Sequence, residues 1–220
     1  MRKTGILMPV SSLPSRTGVG EMGAEAYHFL TLLKESGVKI WQILPMNPVG
    51  YGNSPYQPYS SCAGDELYIS LDTLYEEGLL KERPEGFHEY ATKVDYDAVR
   101  LHKEPYLREA FQAFLTSGGC ETKDYQEFAD QSWVYEYGAF RALKKANGGC
   151  CWNEWKQEDK MWPDARTDLA PELETEVQYH MFLQYVFFSQ WMKLKEKANA
   201  YDIQTVSYTH LRAHETLANL

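Results

Sequence analysis

WQILPMNPVGYGNSPYQPYSS, residues 41–61, is the stretch from which the fold is read. It opens inside an apolar run, Lys39 to Leu44, that has the length and composition of a buried strand and is stopped by Pro45. A long loop follows, carrying Tyr51, Tyr56 and Tyr59 among short hydrogen-bonding side chains: Asn53, Ser54, Gln57, Ser60 and Ser61. Working backwards, Val38 is preceded by Gly37, where a glycine closes a helix, and by Ala26, Phe29, Leu30 and Leu33 at helical spacing. That helix is expected over Ala24–Ser36. Before it, Gly5–Val10 is another mostly apolar run, broken by Pro9, as in a parallel strand covered on both faces. Strand, helix, strand with short joints is a βαβ unit, and βαβ units require a parallel sheet.

The loop has a chemistry of its own. A pyranose offers apolar C–H faces and a rim of hydroxyls. A tyrosine ring covers the first, and amides or hydroxyls satisfy the second. An ordinary surface connection rich in proline and glycine has a similar composition. Its length and its place at the C-terminal end of a strand favour a functional loop.

Composition narrows the remaining classes. The chain has 220 residues and a net charge of −9, which argues against a phosphate-backbone partner such as nucleic acid. No run approaches the roughly 20 apolar residues of a membrane span. MRKTGILMPV is too short in its apolar part for a signal peptide and reads as the first strand. Cys62, Cys120, Cys150 and Cys151 lack C-x-x-C spacing, so neither a zinc site nor a redox motif is expected, and the thiols read as reduced and structural.

Beyond the loop, Tyr68–Leu71 reads as a short extended stretch, with Asp72 capping a turn of helix that stops at Gly78. From about Lys81 the pattern becomes helical. Leu107, Ala110, Phe111 and Phe114 mark one helix. Trp133, Tyr137, Phe140 and Leu143 mark a second. Val177, Met181, Tyr185, Phe188 and Met192 mark a third. CCWNEWKQEDKMWP, residues 150–163, reads as an irregular connection between them.

Three motifs invite a sharper function. Gly18-Val19-Gly20-Glu21-Met22-Gly23 is a literal G-x-G-x-x-G, yet SSLPSRT separates it from the first strand. No acid at the end of the second strand is placed to hold a ribose, so a dinucleotide-binding domain is the remote alternative. His210 and His214 lie one helical turn apart but lack the intervening Glu of metalloprotease sites, and no metal is expected. Acids such as Asp65, Glu66, Glu21 and Glu25 do not form a recognisable pair for glycoside chemistry and read as a solvated face.

The chain resembles the N-terminal part of the bacterial 4-alpha-glucanotransferases, the amylomaltase or disproportionating-enzyme family. Ser12-Leu13-Pro14-Ser15, Gly18-Val19-Gly20 with Gly23, Trp41-Gln42-Ile43-Leu44-Pro45 and Ser54-Pro55-Tyr56-Gln57 with Ser60 and Ala63-Gly64 carry the resemblance. Val94-Asp95-Tyr96, Trp133-Val134-Tyr135-Glu136-Tyr137 and Phe187-Phe188-Ser189-Gln190-Trp191 extend it over about residues 5–203. It implies an α/β fold, an incomplete (β/α)8 TIM barrel holding strands 1 and 2 with a helical insertion. Residues 1–80 would be the barrel segment, 81–170 the insertion, 171–203 the helix before strand 3, and 204–220 a non-family tail adding nothing to the fold.

The resemblance also implies a cytoplasmic transferase that moves α-1,4-glucan segments between maltooligosaccharides by a retaining double displacement, without cofactor. Tyr51, Asn53, Ser54, Tyr56 and Gln57 would be its substrate-binding residues. The family's nucleophilic Asp, acid/base Glu and stabilising Asp would lie beyond this chain, so no catalytic residue is assigned and the chain alone is expected to be inactive. Met8-Pro9-Val10 and Asp65-Glu66 depart from the residues common in the family. The alternative is a non-catalytic α-glucan-binding fragment, which turnover of maltotriose would separate from the enzyme.

Overall fold

The computed structural model describes residues 2–87 and 92–207, with Tyr51 described by its backbone alone. The chain is α/β and falls into two compact units. One runs to Ala110 and resumes at Val186, and the other is Phe111–Tyr185. Compactness divides the chain after Ala110 and before Val186.

In the first unit, β1 (Gly5–Leu7), α1 (Ala24–Glu35) and β2 (Ile40–Gln42) form the βαβ arrangement read from the sequence, with Ile6 opposite Trp41 in a parallel ladder. Both strands are shorter than their apolar runs. Pro9 cannot donate to a ladder, and Val10–Ser12 turns into a short 3-10 helix instead. Gly37, at φ +71°, ends α1 in the left-handed region. The Val38 N–H donates to the Leu33 carbonyl at 2.9 Å and the Gly37 N–H to Lys34 at 3.1 Å, the paired bonds of a Schellman motif. Trp41 is fully buried, meets Phe29 of α1 edge-on with centroids 5.2 Å apart, and donates its indole N–H to the Met8 carbonyl at 2.8 Å.

A third strand corrects the reading of the C-terminal segment. β3 (Gln204–Val206) pairs in parallel with β2, giving the order β1-β2-β3. Ile203 is buried, and the Ile43 N–H donates to the Val206 carbonyl at 2.9 Å. Residues 204–206 therefore belong to the fold, whereas the His210/His214 pair lies outside the described residues. Leu7 is 55% exposed and all of β1 is open to solvent, so the expectation of a strand covered on both faces is not met.

Two local readings also change. Tyr68–Leu71 is not a strand. Glu66–Tyr68 is a 3-10 turn, and Ser70, not Asp72, caps α2 (Leu71–Glu76) by accepting from the Thr73 N–H at 3.3 Å. Two of the G-x-G-x-x-G glycines, Gly20 and Gly23, serve packing. A Cβ at Gly20 would sit 1.8 Å from the Val10 carbonyl oxygen, and one at Gly23 would sit 2.5 Å from Ser70 Oγ. The Gly20 N–H donates to the Ser11 carbonyl at 3.0 Å, so this amide is spent within the protein and is not presented to a phosphate.

α3 (Tyr96–Thr116) begins in the first unit. Its buried Lys103, 1% exposed, donates to Glu21 Oε1 at 2.6 Å and to the carbonyls of Leu67 and Ile69 at 2.7 and 2.6 Å. All three ammonium donors are used. Glu21 also accepts from Thr17 Oγ1 at 2.6 Å. Glu21 is thus part of a buried ion pair and not of a solvated face.

The second unit is helical. α4 (Lys123–Ala129), α5 (Ser132–Ala146) and α6 (Gln157–Ala165) join the end of α3 and the start of α7 (Pro171–Ala200). Val134, Ala139, Leu143, Trp155, Trp162 and Val177 form its core. Gly138 lets α5 approach α7, since a Cβ there would lie 2.9 Å from the Val177 carbonyl oxygen. α6 takes over the second half of the connection read as irregular over residues 150–163, while its first half holds only the 3-10 turn Trp152–Glu154.

Candidate functional site

The loop after β2 divides into a base and a tip. In the base, Val49 and Pro58 form an antiparallel bridge, and the Tyr59 N–H donates to the Pro48 carbonyl at 3.2 Å. Asn47 Nδ2 donates to the carbonyls of Ala63 and Ser61 at 2.9 and 3.2 Å. Ser60 Oγ accepts from the Ala63 and Cys62 N–H groups at 3.1 and 3.3 Å, a serine turn. Tyr59 is half-buried against Gly50. Tyr59 and Ser60 are thus structural parts of the base, although sequence placed them among the sugar-contacting groups.

The tip is residues 51–57, and it holds all five predicted binding residues. Tyr51 opens a 3-10 turn, Tyr51–Asn53; its side chain lies outside the description. Gly52 and Asn53 are left-handed, at φ +81° and +51°, which glycine adopts freely and asparagine tolerates. Ser54 Oγ accepts from the Tyr56 N–H at 3.4 Å and its carbonyl from the Gln57 N–H at 3.1 Å. The hydroxyl proton of Ser54 is not used in that bond. Tyr56 is 51% exposed, and Gln57 is exposed beside it.

Asp65 ties both ends of the loop together. Its N–H donates to the Met46 carbonyl at 2.8 Å, while its carboxylate accepts from the Val49 N–H at 3.4 Å and the Leu67 N–H at 3.0 Å. Arg100, on α3, donates to both carboxylate oxygens at 3.1 and 2.8 Å and to Glu66 at 3.1 Å. Asp65 is 1% exposed. Burial, then the neighbouring Glu66, push its carboxyl up from the ordinary range, and Arg100 pulls the other way. Burial opposes the charge of Arg100, yet Asp65 and Glu66 outweigh it and hold the guanidinium above its ordinary value. These acids are committed to a cation, which removes them as catalytic candidates.

A cavity of about 650 Å³ lies elsewhere in the first unit, lined by Ser11, Ser15, Arg16, Lys93 and Tyr96 among others. It shares no lining residue with the tip, and its wall at Thr92 adjoins residues 88–91, outside the description. The tip is the better candidate, because its exposed ring and hydrogen-bonding groups converge on one short turn. Among the described residues no group of three or more His, Cys, Asp or Glu is arranged to hold a metal ion. No helix among them is long and apolar enough to cross a membrane.

A model of the 4-alpha-glucanotransferase family matches residues 8–208. The chain belongs to this family. It is 39% identical over 213 residues to the 4-alpha-glucanotransferase of Thermus thermophilus, covering 93% of this chain and 41% of that one. With the Synechocystis 4-alpha-glucanotransferase the identity is 40% over 210 residues, covering 90% and 40%. The chain thus spans about two fifths of the length of these curated relatives. Among solved structures, amylomaltase from Streptococcus agalactiae in complex with acarbose superposes with a TM-score of 0.83 at 31% identity, covering 94% of this chain and 43% of that one. Amylomaltase from Corynebacterium glutamicum shares the fold, with a TM-score of 0.66 at 14% identity over 92% of this chain and 29% of that one.

Within this family member, sequence reasoning named the tip residues as candidates and missed the support beneath them. Asp65 and Arg100 stand 35 positions apart. The available signal was Arg100 and Lys103, two cations three apart on a helix whose Val99 and Leu107 are buried.

Proposed function

We propose that this chain is part of a 4-alpha-glucanotransferase and that its residues 51–57 contact an α-1,4-glucan. The observation that carries the reading is the tip itself, with an exposed Tyr56 beside Ser54 and Gln57, in a chain matched by the family over residues 8–208. The acarbose bound by the Streptococcus agalactiae relative supports a sugar ligand. The α/β architecture is read as the first three strands of a (β/α)8 barrel with a helical insertion. The open β1 and its exposed Leu7 support this, since further strands would cover them. The enzyme is read as cytoplasmic, independent of cofactors, and acting on maltooligosaccharides.

In a retaining transfer one carboxylate attacks the anomeric carbon as another protonates the leaving oxygen, and a second sugar hydroxyl then displaces the enzyme. Both carboxylates are assigned to parts of the enzyme outside residues 1–220. The tip supplies binding: Tyr56 against a sugar face, Ser54 and Gln57 to its hydroxyls, and Tyr51 farther along the glucan.

In the enzyme carrying these residues, Tyr56→Ala is expected to lower kcat/KM on maltotriose by about tenfold or more, the effect of losing roughly 1.4 kcal/mol. A lowered melting temperature with unchanged turnover by the folded variant would make Tyr56 a packing residue and defeat the reading.

A further inference from the structure

We propose that Arg100 is a positioning residue that holds the 51–57 tip in its glucan-binding geometry through its two-point grip on Asp65. The proposal rests on the reading of the tip as the sugar contact. The link runs from Arg100 through Asp65 to Val49. The guanidinium binds both oxygens of Asp65, at 3.1 and 2.8 Å, the forked pairing that fixes a carboxylate's plane as well as its position. With that plane set, one oxygen meets the Leu67 N–H and the other the Val49 N–H. Val49 is also the residue that bridges to Pro58, so its placement sets both strands of the base from which the tip projects.

The third arm, from Arg100 to Glu66 at 3.1 Å, braces the guanidinium from the next residue along. The remaining element in the link is α3. Its role is to carry Arg100, and Lys103 anchors the same helix one turn on, against Glu21 and the Leu67 and Ile69 carbonyls.

The test measures maltoheptaose affinity by calorimetry and amide hydrogen exchange on the full chain, its Tyr56→Ala variant, and Arg100→Met and Arg100→Lys. Arg100→Lys keeps the charge without the fork and carries the test if Arg100→Met does not fold. The expected result is affinity lowered about fivefold or more in the Arg100 variants, with faster exchange at the Val49, Gln57, Tyr59 and Leu67 amides. Exchange in α1 should stay as in the parent chain. Tyr56→Ala should lose affinity with those loop amides still protected. If Tyr56→Ala loses affinity and the folded Arg100 variants do not, the positioning role is overturned and the sugar reading stands. If neither Tyr56→Ala nor the Arg100 variants lose affinity, the sugar reading fails and the proposal falls with it.

Discussion

Lys103→Met is expected to cost about 3–5 kcal/mol of stability, the usual consequence of stripping one partner from a buried ion pair. The methionine fills much of the space but offers no donors. Glu21 would keep its Thr17 partner and lose its cation, and the carbonyls of Leu67 and Ile69 would be left without their donor. Each buried acceptor left unmade adds its own penalty of about 1–3 kcal/mol, so the upper part of the range is the more natural result. The melting temperature should fall by roughly 10 °C for a chain of this size. Adding Glu21→Gln to Lys103→Met should restore part of the loss by removing the stranded charge, but not all of it, because the two carbonyls remain. Thermal and urea denaturation check this. A loss below about 1 kcal/mol would mean that the ammonium is not the tie described.

Trp41→Ala is expected to be nearly as damaging, at about 3–5 kcal/mol. Trp41 is wholly buried, and its removal takes away the contact with Phe29 and the bond to the Met8 carbonyl together. Trp41→Phe separates the two. It keeps an aromatic ring against Phe29, loses the indole donor, and should cost about 1–3 kcal/mol. Because Trp41 sits in β2, four residues before Pro45 opens the loop, a loosened β1–β2 joint should also speed exchange at the base of the loop. An alanine variant as stable as the parent chain would contradict the packing described for the βαβ unit.

The parts of this fold that were legible in sequence are those fixed by short-range chemistry. The helix stop at Gly37 and the four-residue stripe of α1 each speak through neighbours within one turn. So does the proline-terminated run of β2. The tip residues stand out as candidates for the same reason, since rings and amides are crowded into seven positions. Elements fixed by distant partners were not legible. Gln204-Thr205-Val206 is short and polar at its start, and only the β2 edge makes it a strand. α6 buries only Trp162, and its Pro163 reads as a break, so no repeating apolar stripe announces it. The acids Asp65 and Glu21 look like any others in an acidic chain. Their burial depends on Arg100 and Lys103, which arrive from a helix 35 and 82 positions later. Ser70 was overlooked as a cap in favour of Asp72 because both residues suit the role and the choice lies in where Ile69 delivers the chain.

Chemical-shift mapping of the isotope-labelled chain during titration with maltoheptaose tests the central claim most directly. The account predicts concentration-dependent shifts concentrated at the amides of residues 51–57, with smaller ones at the base between Met46 and Asp65, and none in α5 or α6. Shifts confined to Ser11–Arg16 and Lys93, around the cavity, or the absence of any shift at residues 51–57 at saturating sugar, would contradict it.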